Sequence, residues 1–229
     1  MKISYLITCH NEVKTLDNLL SKLDHHINVN DEIIIIADDP TSETTQILSN
    51  WTAGQTKIFV YEHKLENDYG THKNWGNKHC TGDFVFQIDA DELPTENVVG
   101  DNLKTIIEAN PSVELIYVPR INDFKGVNEE YANQWGWKLT DSQKNGIAQG
   151  RPIINWCDYQ GRIYKNIPDR IKWDRKLHEK IEGHKEYSFL PAEEDYALYH
   201  DKTIEKQIET NLRYNKTFTE DENRGHKIT

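Results

Sequence analysis

Three carboxylates, Asp89, Asp91 and Glu92, directly follow the apolar run Phe84, Val85, Phe86 and Ile88. Like charges crowded this closely repel one another unless a cation or hydrogen-bond donors offset them. Hard divalent cations take oxygen ligands, keep several waters and bridge one or two protein carboxylates to a substrate's phosphates. The cluster therefore suits metal-assisted chemistry on a phosphorylated small molecule. It would equally suit the acidic first turn of a following helix, because Asp and Glu favour helix N-termini.

Either use depends on the elements that hold these residues. The run from Phe84 is rich in β-formers, is opened by Thr81-Gly82-Asp83 and closes before Pro94, which predicts a buried strand with the acids at its C-terminal end. Upstream, residues 3–8 read as a first strand ending in the polar loop Thr8-Cys9-His10-Asn11-Glu12, after which Val13, Leu16, Leu20 and Leu23 recur at helical spacing. Residues 33–37 form a continuous aliphatic run, the mark of a strand buried on both faces, followed by Asp38-Asp39-Pro40. A helix to about 51, a strand over 57–61 and a helix over about 69–79 lead into the strand at Phe84. The order β-α-β-α-β-α-β predicts an α/β fold with a mostly parallel sheet flanked by helices. Ligands of such sheets collect at the carboxyl ends of the strands, so the loop at Thr8, the Asp38-Asp39 pair and Asp89 to Glu92 are expected to share one crevice.

Further along, a helix is expected over 96–109, a strand over 115–119 and another over 161–165. Between residues 121 and 156 periodicity fades while Tyr131, Trp135, Trp137 and Trp156 accumulate. Such a stretch suits a binding wall for sugar faces or, equally, a small satellite core. Residues 171–183 are amphipathic without a clear period, Thr203 caps a helix carrying Ile204, Ile208 and Leu212, and the chain turns polar from about Asp221. No repeat or linker divides the sequence. The expected organisation is one domain over 1–220 with a polar tail over 221–229.

The 229 residues suffice for one α/β domain with a sizeable core, and the formal net charge of −11 argues against a nucleic-acid surface. Three cysteines without CxxC pairing indicate neither a disulfide framework nor a zinc site and fit a reducing compartment. The N-terminal apolar stretch is too short for a signal peptide or membrane span. A cytoplasmic protein is expected.

Taken together, ITCHNE, IIIADDPTSETT, KNWGNKHCTGDF and FQIDADE resemble the motifs of the GT-A type nucleotide-sugar glycosyltransferases, in particular small members of the inverting family 2. The resemblance is close over 3–94 and weaker through YQGRIYKN, KLHEKIEG and LYHDKT. It implies a metal-dependent, inverting transfer of a sugar from a nucleoside diphosphate donor of UDP or GDP type to a hydroxyl of a glycan or other carbohydrate, with Mn²⁺ or Mg²⁺ as cofactor. It implies that Thr8, His10, Asn11 and Glu12 line the nucleotide pocket, with Asp39 near base or ribose and Lys73 near base or phosphates. Asp89 and Asp91 match the D-x-D motif, the first toward ribose or metal-bound water and the second binding the metal, with His200 as a further ligand. Glu179, in a His178-Glu179 pair, matches the position of the base; Asp174 and the Glu193-Glu194-Asp195 cluster compete for that role. The resemblance further implies a nucleotide-sugar-binding half over 1–94 and an acceptor-binding half over 95–220, with Trp135, Trp137 and His178 as the candidate acceptor contacts.

The sequence departs from the family pattern at Asp39-Pro40-Thr41, where D-G-S-T is usual. Two other functions compete. A nucleotidyltransferase acting on a sugar phosphate would call for a Gly-rich loop with a basic residue after the first strand, which ITCHNE lacks. A non-catalytic nucleotide- or carbohydrate-binding protein of the same fold would need no base.

Overall fold

The computed structural model describes residues 1–148 and 150–223. The chain begins with alternating strands and helices: β1 (Ile3–Cys9), α1 (Val13–His26), β2 (Glu32–Ala37), α2 (Ser42–Thr52), β3 (Ile58–Glu62), α3 (Tyr69–Asn77) and β4 (Phe84–Asp89). β3, β2, β1 and β4 lie side by side in that order, all parallel, as the alternation requires. β2 is buried at every position, which is why its sequence is an unbroken aliphatic run. Leu16, Leu19, Leu20 and Leu23 of α1 pack onto one face of this sheet with Tyr5, Ile33 and Phe86.

The second half adds β5 (Glu92–Pro94), α4 (Gly100–Glu108), β6 (Leu115–Lys125), α5 (Glu129–Trp135), β7 (Leu139–Asp141), β8 (Pro152–Lys165), β9 (Lys172–Asp174), β10 (Lys180–Glu182), β11 (Tyr187–Phe189), β12 (Leu198–Thr203) and α6 (Ile204–Thr217). The sheet continues from β4 through β8, β6 and β12 to β5, with β7 on β8 and β11 on β6; β9 and β10 form a separate hairpin. β8 runs antiparallel to both β4 and β6, while β12 and β11 are parallel to β6.

Three segments differ from the sequence expectation. The stretch expected to be aperiodic, 121–156, holds the end of β6, α5, β7 and the start of β8, and the β6–β8 pairing carries a register shift at Arg120/Asn122. A bulge breaks the alternation of period two, so the pattern was hidden. Residues 171–183 are the β9–β10 hairpin. The helix expected from 96 begins as a 3-10 turn at Glu96–Val98 and becomes α-helical only at Gly100, whose φ of +56° and closeness to the His26 carbonyl exclude any side chain.

Among the described residues no helix is long and apolar enough to cross a membrane. Of the expected polar tail, residues 224–229 lie outside the described residues.

Candidate active-site cleft

The carboxyl ends of β1, β2 and β4 open into a cleft of about 1300 Å³ whose other walls come from β6, β8, the β9–β10 loop, β12 and α6. Thr8, His10, Glu12, Lys73, Asp89, Asp91, Trp135, Trp137, His178, Glu179 and His200 all line it. Two residues assigned to the nucleotide pocket do not. Asn11 instead accepts a hydrogen bond from the Thr41 N–H at 2.9 Å and so fixes one loop against another. Asp39, exposed and at φ 44°, sits just past the end of β2, and its neighbour Asp38 reaches the cleft in its place, accepting from the Leu65 N–H at 3.0 Å. Of the competitors for the base, Asp174 is exposed outside the cleft, and in the acidic cluster Glu194 is engaged by the Ala148 N–H and the Tyr199 hydroxyl, also outside it.

A chain of alternating charges crosses the floor. Glu179 Oε1 lies 2.6 Å from Lys73 Nζ, which lies 3.3 Å from Asp89 Oδ1. Arg162 Nη2 then donates to Asp89 Oδ2 at 2.8 Å and to Glu92 Oε1 at 2.7 Å. Arg120 links Glu92 to Asp158 at 3.1 and 2.8 Å. Burial by itself would raise the Asp89 carboxyl, but Arg162, Lys73 and the Gln87 amide together hold it well below the usual carboxylate range. Asp158 is likewise depressed against its burial by Arg120 and the Asn122 amide. Glu92 is fully buried and Arg162 nearly so, which is tolerable because each charge has an opposite partner within hydrogen-bond reach.

The Lys73-Asn74 dipeptide does two jobs from adjacent positions on α3. Lys73 enters the charge chain and packs 4.6 Å over the Trp173 ring, while Asn74 exchanges hydrogen bonds with the backbone of Trp173 at 2.7 and 2.9 Å. The first turn of α3 also grips the loop carrying Glu179. Its free N–H groups at Tyr69 and Gly70 donate to the Lys176 and Arg175 carbonyls at 2.9 and 3.2 Å. A Cβ at Gly70 would stand 2.4 Å from the Arg175 oxygen, so only glycine permits this approach.

Asp91 follows β4 and precedes β5, which pairs antiparallel with β12 so that Glu92 faces His200. The Asp91 Oδ2 and His200 Nε2 atoms lie 3.4 Å apart. The tautomer of that imidazole follows from its neighbours: Asn122 donates its amide N–H to Asp158 at 2.8 Å, which turns the amide oxygen to accept from His200 Nδ1 at 2.8 Å. Burial, then Lys202, lower the His200 pKa against the pull of Asp91, so the neutral ring presents a bare Nε2.

A carboxylate oxygen and a bare imidazole nitrogen at this spacing can ligate one cation, since bonds of about 2.1 Å place adjacent octahedral ligands about 3 Å apart. Among the described residues no group of three or more His, Cys, Asp or Glu could hold a metal ion. The protein would thus supply two ligands, and a phosphate with water the rest. The donor set fits the divalent cation that the resemblance implies.

Arg120, Arg162, Asp158 and Lys202 were not singled out from the sequence. Arg162 stands in the strand QGRIYK, where nothing in the sequence marks it as facing acids rather than solvent.

The family model described as glycosyl transferase family 2 matches residues 4–170. The crystal structure of S. aureus TarS 1-349 aligns with a TM-score of 0.58 at 17% identity, covering 96% of this chain and 68% of that one. The same fragment in complex with UDP-GlcNAc aligns at 0.58 and 17%, covering 88% and 59%. Against the longer S. aureus TarS structure, at 0.58 and 14% identity, 96% of this chain spans 41% of that one. A search of curated proteins found no match.

Proposed function

The chain belongs to glycosyl transferase family 2 and has the GT-A fold, and from this premise we propose that it is a metal-dependent, inverting enzyme that moves a sugar from a nucleoside diphosphate to a carbohydrate hydroxyl. The observation that carries the reading is the convergence of Asp91 and His200 at the rim where Thr8, Asp38 and Asp89 also end.

In this reading residues 1–94 take the nucleotide, with Thr8, His10, Glu12 and Asp38 around base and ribose. Residues 95–220 take the acceptor, for which Trp135 and Trp137, stacked at 6.4 Å in the cleft wall, and His178 provide contacts. Asp91 and His200 would hold Mn²⁺ or Mg²⁺, which supplies Lewis-acid stabilisation to the departing diphosphate. Glu179 takes the proton of the acceptor hydroxyl as that oxygen bonds to the anomeric carbon, while the carbon–oxygen bond to the diphosphate breaks and its electron pair leaves with the nucleotide. One displacement of this kind inverts the anomeric centre. Lys73 donates to Glu179 Oε1 at 2.6 Å, and the second carboxylate oxygen accepts no hydrogen bond among the described residues. The free thiols Cys9, Cys80 and Cys157 suit a cytoplasmic setting.

The test is calorimetric titration of UDP and of GDP, each with and without Mn²⁺. Binding of one nucleotide strengthened at least tenfold by the metal, with the gain lost in Asp91→Asn, is the expected result. Equal affinity in both conditions would overturn the metal assignment.

A further inference from the structure

A third side chain reaches the oxygen assigned above to the cation. Lys202 Nζ lies 2.9 Å from Asp91 Oδ2, the same atom that faces His200 Nε2. Alternation along β12 puts residues 200 and 202 on one face, so both side chains point to Asp91. Lys202 lines the cleft, and its ammonium is a compact charge on a flexible stem, able to move without disturbing the strand. Nearby Asp89 is already taken by Arg162, Lys73, Gln87 and Thr8, so it offers Lys202 no alternative partner.

An ammonium and a divalent ion cannot share one carboxylate oxygen without strong mutual repulsion. We propose that Lys202 is a resident cation that keeps the divalent ion off Asp91 until a nucleoside diphosphate arrives, so that metal and donor bind as a pair. The diphosphate brings the negative charge to which the ammonium would turn, and Asp91, released, would then be free to hold the ion together with His200. Linkage makes the effect reciprocal: the metal strengthens diphosphate binding by the factor by which the diphosphate strengthens metal binding. The inference rests on the reading of Asp91 and His200 as metal ligands.

The experiment is Mn²⁺ titration followed by electron paramagnetic resonance of the free ion, on the full chain and on Lys202→Met, with no nucleotide, with UDP and with GDP. Without nucleotide, the variant is expected to bind Mn²⁺ at least tenfold more tightly than the unaltered protein, and the strengthening by diphosphate is expected to shrink by a similar factor. Lys202→Gln, which also removes the charge, carries the same expectation should the Met variant not fold. Equal Mn²⁺ affinity of variant and unaltered protein without nucleotide, with uptake in both once UDP or GDP is added, would overturn the role of Lys202 and leave the cation site standing. No Mn²⁺ uptake by the unaltered protein under any condition would overturn both.

Discussion

The ammonium of Lys73 and the carboxylate of Glu179, 106 positions apart in the chain, meet at 2.6 Å in the floor of the cleft. The pair ties α3 to the loop that carries the residue proposed to act on the acceptor. Glu179→Gln keeps an oxygen for Lys73 but cannot take a proton. Nucleotide binding should stay within a few-fold of the unaltered protein while transfer falls by about 10²–10⁴, the range expected for loss of a general base. Parallel calorimetry and nucleotide-release assays would check this, and undiminished transfer would pass the role to another cleft carboxylate such as Asp158.

Arg162 holds both Asp89 and Glu92. Arg162→Met leaves two acids facing each other with one cation fewer, and breaking a buried pair in this way costs about 3–5 kcal/mol. Urea unfolding should show a loss of that size. A change under about 1 kcal/mol would mean that water or a rearranged Arg120 satisfies the acids.

At Gly70 the added methyl group of Gly70→Ala meets the Arg175 carbonyl, which must retreat and carry the loop to Glu179 with it. Overpacking of this kind costs about 1–3 kcal/mol. The thermal midpoint should fall and transfer should fall further than nucleotide binding does; a variant with unaltered transfer would show that the loop position is not critical.

His72 is buried beside Asp38, His63 and Lys73, and its pKa is lowered to about 4 by burial first and His63 second, against the opposing pull of Asp38. The unfolded chain takes up a proton near pH 6.5 that the folded chain refuses until about pH 4. Stability is therefore fully present above pH 6.5 and declines on acidification through that window, by at most about 1.4 kcal/mol per pH unit for this one group. Denaturation midpoints recorded from pH 7 to pH 4 should fall more steeply for the unaltered protein than for His72→Gln.

The first half of the fold was legible because strands buried on both faces spell themselves out, as Ile33 to Ile36 do. The rim followed from topology: once β1, β2 and β4 are parallel neighbours, Thr8, Asp38 and Asp89 must stand together. Which of two adjacent aspartates faces the cleft did not follow, because β2 ends at Ala37 and the turn beyond it obeys no alternation. Arg120 and Arg162 were opaque for another reason. A single arginine in a strand reads as solvent-facing, and only the register of β4, β8 and β6 shows that these two face acids 70 and 28 positions away. Lys202 was hidden because residues 198–203 are too polar at alternate positions to announce a strand.

The pairing of β12 between β6 and β5 has a consequence for synthesis of the molecule. Asp91 leaves the ribosome with the first half of the chain, whereas His200, Lys202 and the strand that bears them emerge more than 100 residues later. A nascent or truncated polypeptide ending before Leu198 would present its D-x-D carboxylates with neither the imidazole nor the ammonium in place, and would lack both the second ligand proposed for the cation and its proposed competitor.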